Sequence, residues 1–238
     1  MNIKRCKIPL LTLTVLIVLS ASLPAKAFSS GSPFFTFGWH GRITEEALSE
    51  LGFSDKVVRQ LKRGNRNQDW DVTPVRILNS KRHFCRDRNQ SHEEGYARNK
   101  AYLEEERSRV IGLLSNESPR YYKARRILGW CLHTTQDAFS HSNYWEMSKA
   151  DKIQFIKGIT CPDEKVPDGT LFVCSGSDKK DSYAYGHDDH HKDSENSPEG
   201  EEAFLTAKEG AVEGTKAFVE ETRRILKDAL PRERFEEV

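Results

Sequence analysis

Three residues with metal-binding side chains follow one another at intervals of four: His133, Asp137 and His141. Residues four apart lie on one face of an α-helix, one turn above another. Imidazole nitrogen and carboxylate oxygen are ligands that zinc accepts, and a carboxylate between two histidines could bridge two ions. The alternative is that both histidines only make hydrogen bonds within the fold. The spacing predicts a helix that carries a candidate zinc-binding face.

Long helices are expected on both sides of this stripe. The central helix is expected to begin at about Arg120, and residues 91–115 predict another before it, with the charged run 104–109 on its exposed face. The last helix is expected over about 197–230, where apolar residues recur at spacings of three and four. Residues 150–197 are the least regular part and predict a long, irregular, functional loop.

Two shorter helices are expected near the amino terminus. Thr44 can cap a helix that runs to about Leu51, and Ser54 can cap a second that ends at Gly64. The chain contains no convincing alternating strand pattern and no glycine-rich phosphate loop. The expected fold is therefore all-α.

The run from His133 to Asn143, HTTQDAFSHSN, closely resembles the core motif of the Het-C proteins. It resembles more loosely the zinc-dependent phospholipase C and single-strand nuclease superfamily. The resemblance implies a single-domain helical bundle of the zinc-dependent phospholipase C type, with a long irregular loop before the last helix. It also implies two or three zinc ions that hydrolyse phosphate esters.

The same resemblance selects further ligands. His40 lies in a segment similar to the first ligand segment of the superfamily, and His83 precedes a phenylalanine as in its His-Phe pair. Asp69 fits best by spacing, with Asp71 as the rival. His187 is selected by the Lys-Asp-Ser that begins at residue 192. The complete implied metal set is His40, Asp69, His83, His133, Asp137, His141 and His187, with Asp69 and Asp137 also as catalytic candidates.

Two points of this ligand set stay open. His191 or Asp193 could add a further ligand, whereas His190 could be only loop. In phospholipases of the superfamily the mature amino terminus binds zinc through a Trp. Trp39 lies about eleven residues inside the terminus expected here, so the number of zinc ions is open between two and three.

Residues 1–27 predict a secretory signal peptide. A basic start is followed by an apolar run and by the small-residue site Ala25-Lys26-Ala27. The mature domain would then comprise residues 28–238 and be periplasmic or secreted. Removal of four basic residues would leave 33 basic and 36 acidic residues, a net charge of −3. No strong positive field would then attract nucleic acid or an anionic membrane.

Export also bears on the cysteines. Four would remain in the mature chain, and an even number in an oxidising compartment favours disulfides. Cys161 and Cys174 flank a loop that contains proline and glycine and are the expected local pair. Cys85 would then join Cys131. Sequence alone allows three pairings, and thiolate ligands to zinc are the weaker alternative.

The function predicted from these residues is hydrolysis of phospholipid head-group phosphodiesters by an exported zinc enzyme, with possible peripheral membrane contact. One alternative is a single-strand nuclease or 3′-nucleotidase, in which nucleic acid would be the substrate. A second alternative is a non-enzymatic Het-C-like toxin or membrane-interaction protein with structural metal. Aromatic residues near the candidate ligands could contact lipid or stack on a base.

Overall fold

The computed structural model describes residues 38–69, 80–174, 192 and 199–235. Within these ranges the chain forms one helical bundle with no β-strand, so the predicted all-α, single-domain fold is confirmed. Two 3₁₀ turns, Ser80–His83 and Tyr144–Glu146, lie between the helices. The seven α-helices are α1 Trp39–Glu50, α2 Asp55–Asp69, α3 His92–Ser115, α4 Tyr121–Ser140, α5 Lys149–Thr160, α6 Gly200–Ala229 and α7 Arg232–Phe235.

Helix α4 lies at the centre of the bundle. Every residue from Ile127 to Ser140 is buried, because α2, α3 and α6 all pack against this helix. A helix that is buried on all sides must satisfy its polar side chains inside the protein. The histidine, glutamine and aspartate of α4 are therefore expected to hydrogen-bond to one another or to neighbouring helices.

Helix α2 crosses α4 closely at two glycines, and this crossing corrects the expected end of α2 at Gly64. A Cβ added to Gly64 would lie 2.5 Å from Arg126 O, and one added to Gly129 would lie 2.5 Å from Leu61 O. The glycines are needed for the close approach of the two backbones. Helix α2 continues to Asp69 and carries Asn65 into contact with the centre of the bundle.

The amino-terminal helix begins earlier than predicted. Helix α1 starts at Trp39, so Thr44 is not its cap but an interior residue, whose hydroxyl donates to His40 O at 2.8 Å. The start of α3 follows the prediction, because Ser91 and Glu94 form a reciprocal capping box.

The charged run in α3 is not simply an exposed face, as the sequence suggested. Glu106 and Arg107 are buried, and the Arg107 guanidinium donates to Thr160 O at 2.5 Å and lies 4.3 Å from the centre of the Phe218 ring. At this point Thr160 at the end of α5 and Phe218 of α6 contact Arg107, so this part of α3 is enclosed. A charged residue can occupy this place because the carbonyl and the ring face satisfy it.

The irregular segment predicted for 150–197 begins instead with a helix. Helix α5 is capped by Ser148, which accepts from Asp151 N, and it buries Phe155 and Ile159. In the irregular chain that follows, as far as it is described, isolated bridges join Phe172 to Ser142 and Cys174 to Arg86. Leu171 O and Val173 N also hydrogen-bond to the backbone of Asn143 and His141.

The expected disulfides are absent. Cys131 and Cys161 are both thiols, so neither Cys85–Cys131 nor Cys161–Cys174 is formed. Cys131 is buried beside α3, where burial raises the pKa of its thiol, whereas Cys85 Sγ lies 3.2 Å from His141 Nδ1. The two side chains point to different neighbours.

None of the helices in the described ranges is long and apolar enough to cross a membrane.

Candidate metal centre

Four candidate ligands converge at the centre of the bundle. His40 comes from the first turn of α1, His83 from the end of the 3₁₀ turn Ser80–His83, and His133 and Asp137 from α4. His40, His83, His133 and Asp137 are 1%, 6%, 0% and 0% exposed. The triad His40, His133 and Asp137 could hold a metal ion, since one ligand atom of each lies within 4.8 Å of the others.

The Asp137 carboxylate lies between the histidines and uses its two oxygens for different ones. Oδ1 lies 3.0 Å from His40 Nε2. Oδ2 lies 3.1 Å from His83 Nδ1 and 3.2 Å from His133 Nε2. The Asp137 carboxylate therefore contacts three imidazoles, and the rings of His40 and His133 lie 4.0 Å apart, centre to centre.

The atoms around Oδ2 form a nearly equilateral triangle. Its third edge, from His133 Nε2 to His83 Nδ1, is 3.2 Å. Four ligands held tetrahedrally by zinc at about 2.0–2.1 Å lie about 3.3 Å from one another. Asp137, His83 and His133 are thus close enough together to share one metal ion, although the same distances are those of ordinary hydrogen bonds.

The tautomer of His40 is fixed by Gln136. The hydroxyls of Thr44 and Thr215 donate to the carbonyls of residues four earlier, so each accepts from Gln136 Nε2, at 3.0 and 3.1 Å. The other amide atom, Gln136 Oε1, must therefore accept from His40 Nδ1, at 2.8 Å. His40 carries its proton on Nδ1, and its Nε2, which faces Asp137, has the lone pair.

Asn65 fixes the tautomer of His133 in the same way. Asn65 Nδ2 donates to Thr44 Oγ1 and to Gln136 Oε1, each at 3.0 Å. Its Oδ1 consequently accepts from His133 Nδ1, at 3.1 Å. His133 Nε2 is therefore the lone-pair nitrogen that faces Asp137. Supports of this kind orient histidine ligands in metal sites.

In their neutral forms the two histidines thus aim lone pairs at a carboxylate. Lone pairs and carboxylate oxygens repel at 3.0–3.2 Å unless a proton or a cation lies between them. Asp137 Oδ1 is buried and has no partner with hydrogen-bond geometry among the described residues. The orphaned oxygen and the outward-held Nδ1 protons fit a metal cation, which neutral imidazole and carboxylate bind together.

Protonated histidines would be the alternative source of positive charge. Burial alone would raise the pKa of Asp137, but positive charge on His133 and His40 outweighs burial and holds this pKa well below its usual value. In the metal-free protein Asp137 is therefore a carboxylate paired with charged histidines, and a bound cation would take the place of their protons.

His141 lies just beyond the end of α4, as its C-cap residue. Its Nδ1 contacts His83 O at 2.6 Å and Cys85 Sγ at 3.2 Å, so it is held beside the cluster through the backbone of another candidate ligand. Ligation by His141 stays a prediction.

The remaining predicted site residues are only partly described. Asp69 ends α2, but its side chain is not described. Trp39 begins α1 and packs edge-on against Phe204, with ring centres 5.1 Å apart. The candidates beyond the described residues are Asp71, His187, His190, His191 and Asp193, together with the signal segment 1–27.

Sequence reasoning missed the supporting residues of the cluster. Asn65, Gln136 and Thr215 were not identified as supports of the site, and Thr44 was interpreted only as a helix cap, although Gln136 directly precedes Asp137. A buried amide between two candidate histidine ligands was the available signal.

A sequence model of the VWA7 N-terminal domain matches residues 55–181, which is more than half of the chain, and the chain belongs to this family. The match corrects the resemblance to the Het-C proteins and to the phospholipase C and nuclease superfamily, which was wrong. That resemblance depended on the short run from His133 to Asn143. No curated protein and no solved structure matched significantly.

Proposed function

We propose that this member of the VWA7 N-terminal domain family is an exported zinc-dependent hydrolase of phosphate esters. The observation that carries the proposal is the triangle of Asp137 Oδ2, His83 Nδ1 and His133 Nε2, with edges of 3.1–3.2 Å. Asn65 holds the Nδ1 proton of His133, and His141 contacts the backbone carbonyl of His83. Two imidazole nitrogens and a carboxylate oxygen supported in this way have the chemistry of a zinc site.

Two positions for zinc are proposed. His83, His133 and Asp137 would hold one ion through Oδ2. His40 and Oδ1 of the same carboxylate would hold a second, with Asp137 as the bridge. Nitrogen and oxygen donors favour zinc over calcium or magnesium, which prefer oxygen alone.

Before a substrate binds, the side chains around Asp137 would orient the metal ligands. Asn65 and Gln136 keep the Nε2 atoms of His133 and His40 directed at Asp137. Asp137, fully buried between the histidines, would bind the metal as a carboxylate. Zinc held there would supply Lewis acidity towards a phosphoryl oxygen and activate water.

An anionic substrate is proposed because bound metal ions would supply positive charge at the site. Phospholipid head groups are the first proposed substrate and single-stranded nucleic acid the second.

Turnover of three probes tests this function. Residues 28–238 with zinc would be assayed on bis-p-nitrophenyl phosphate, on phosphatidylcholine vesicles and on single-stranded DNA. Asp137→Asn should abolish hydrolysis of every probe that the unmodified protein cleaves. Asp163→Asn, a change at an exposed carboxylate in a turn, is the matched control and should leave the rate unchanged.

The outcomes separate the substrates. Release of the head group without DNA cleavage supports phospholipids, and the reverse supports nucleic acid. Zinc-loaded protein that cleaves none of the three contradicts the enzymatic proposal.

A structural metal is the second candidate. It is favoured by burial, because none of the four converging ligands is more than 6% exposed and structural zinc sites are closed to solvent. The protein would then be non-enzymatic, with a role in binding or at membranes. Stoichiometric zinc, a large loss of thermal stability on chelation and no turnover would select this candidate.

A further inference from the structure

A groove of about 460 Å³ lies apart from the metal centre. It is formed by the turn between α1 and α2 together with α2, α4, α6 and α7. Its volume is within the ~300–1,000 Å³ typical of small-ligand sites. Ten of the sixteen described lining residues are apolar, among them Leu61, Leu128, Leu132, Phe218, Val219 and Leu226, and polar atoms make up about half of the exposed wall.

The charges at this groove have one sign. Lys56, Arg125 and Arg223 line it, and none of the lining residues in the described part of the chain is acidic. Since the sequence as a whole is nearly neutral, with 37 basic and 36 acidic residues, this local imbalance favours an anion.

Arg223 is placed at the mouth of the groove. It is exposed, and its guanidinium lies 5.5 Å from the centre of the Phe53 ring and 5.9 Å from that of Phe235. Arg125 is nearly buried and donates to Gln60 Oε1 at 2.8 Å. Arg223 is therefore an exposed cation beside two aromatic rings that also line the groove.

We infer that the groove binds a single-chain fatty carboxylate, with the acyl tail among the leucines of α2 and α4 and the carboxylate at Arg223, Arg125 and Lys56. An apolar wall with a positive rim complements an amphiphile that has one apolar chain and one negative head. The planar guanidinium matches a carboxylate geometrically. This inference does not depend on the proposed hydrolase activity.

The first test measures binding of three dodecyl compounds below their micellar concentrations, by calorimetry, with EDTA present so that no metal can hold the head group. Dodecanoate is expected to bind at least tenfold more tightly than dodecanol, and dodecyltrimethylammonium not at all. Within the carboxylates from octanoate upward, affinity should rise about fourfold per methylene until the groove is filled.

Variants place the ligand in the groove. Val57→Trp fills it from α2 and should remove binding. Arg223→Glu should weaken dodecanoate at least tenfold and leave dodecanol unchanged. Arg224→Glu is the matched control, because Arg224 is the next residue, is exposed, pairs with Glu221 and Asp228, and does not line the groove. Helical circular dichroism and melting temperature confirm that each variant is folded.

Three results would overturn the inference. The first is equal affinity for dodecanol and dodecanoate, and the second is Arg223→Glu behaving like Arg224→Glu. The third is dimeric protein by light scattering that becomes monomeric in Val57→Trp and never binds dodecanoate, which would make the groove a contact between two copies of the chain.

Discussion

Gly64 and Gly129 lie face to face where α2 crosses α4. A Cβ added to Gly129 would lie 2.8 Å from Gly64 Cα and 2.7 Å from the backbone nitrogen of Asn65. The absence of both side chains lets Asn65 reach His133 on the neighbouring helix. The geometry of the candidate metal centre thus depends on two residues that carry no chemistry themselves.

Gly129→Ala should destabilise the protein by about 1–3 kcal/mol, because the added methyl group meets backbone atoms that cannot move independently. Displacement of Asn65 should also weaken metal binding. Urea unfolding of the metal-free protein measures the first effect, and titration with zinc measures the second.

Gly112→Ala is the matched control for this prediction. Gly112 is an exposed interior position of α3, and an added Cβ would meet nothing within 4 Å. This variant should gain about 0.5–1 kcal/mol through helix propensity. A Gly129→Ala protein as stable as Gly112→Ala would contradict the close crossing.

Gln136→Leu should reduce both stability and metal affinity. It removes the acceptor of the His40 proton and two donors to buried threonine hydroxyls. Buried groups left without partners cost about 1–3 kcal/mol, and loss of a supporting residue weakens a metal site about 10–100-fold. Differential scanning calorimetry and zinc titration measure the two effects.

Thr135→Val is the control on the adjacent position of the same buried helix. Thr135 Oγ1 is buried and has no hydrogen-bond partner among the described residues, so an apolar isostere should be neutral or slightly stabilising. If both variants lost the same stability, the hydrogen-bond network around Gln136 would not be what stabilises the centre.

Arg107→Met should cost about 2–3 kcal/mol, because it removes a charged donor to Thr160 O and leaves that carbonyl buried. Glu105→Gln, two residues earlier in the run, changes a carboxylate whose side chain is 72% exposed and lies 4.0 Å from Lys81 Nζ, and should cost less than about 1 kcal/mol. Chemical denaturation compares the two. Equal small losses would show that the charged run is an exposed face after all.

Cys131 should resist alkylation in the folded protein, because it is fully buried and burial raises the pKa of its thiol. After unfolding without reductant it should react completely, as should Cys161. Peptide mapping by mass spectrometry checks both statements. A peptide that joins either residue to another cysteine would restore a disulfide to this fold.

The sequence predicted the helices that contain their own signals. The four-residue spacing of His133 and Asp137 places them on one helix face by local geometry alone. Ser91 and Glu94 form a capping box, a four-residue pattern that predicts the start of α3. Gly64 was read as a helix end, since glycine commonly ends helices. Its packing against Gly129 depends on a tertiary contact that no local pattern contains.

The candidate site also has some residues that local sequence predicts and others that only tertiary contacts bring into place. The structure brings His40 and His83 to the stripe on α4, but they were selected through a family resemblance that proved wrong. Asn65 and Gln136 were missed, because an amide becomes a support only when a helix from another part of the chain places a histidine beside it. The disulfides were expected from the compartment, and the packing of Cys131 against α3 prevents the pairing with Cys85 that was inferred.

Zinc content is the most direct measurement of the central claim. Residues 28–238 would be stripped of metal, dialysed against zinc and analysed by elemental mass spectrometry, alongside His133→Ala and Asp137→Asn. The account predicts at least one zinc ion per chain, and two at saturation, with loss in both folded variants. Absence of stoichiometric zinc from the unmodified protein, or its retention in both variants, would contradict a metal centre at Asp137.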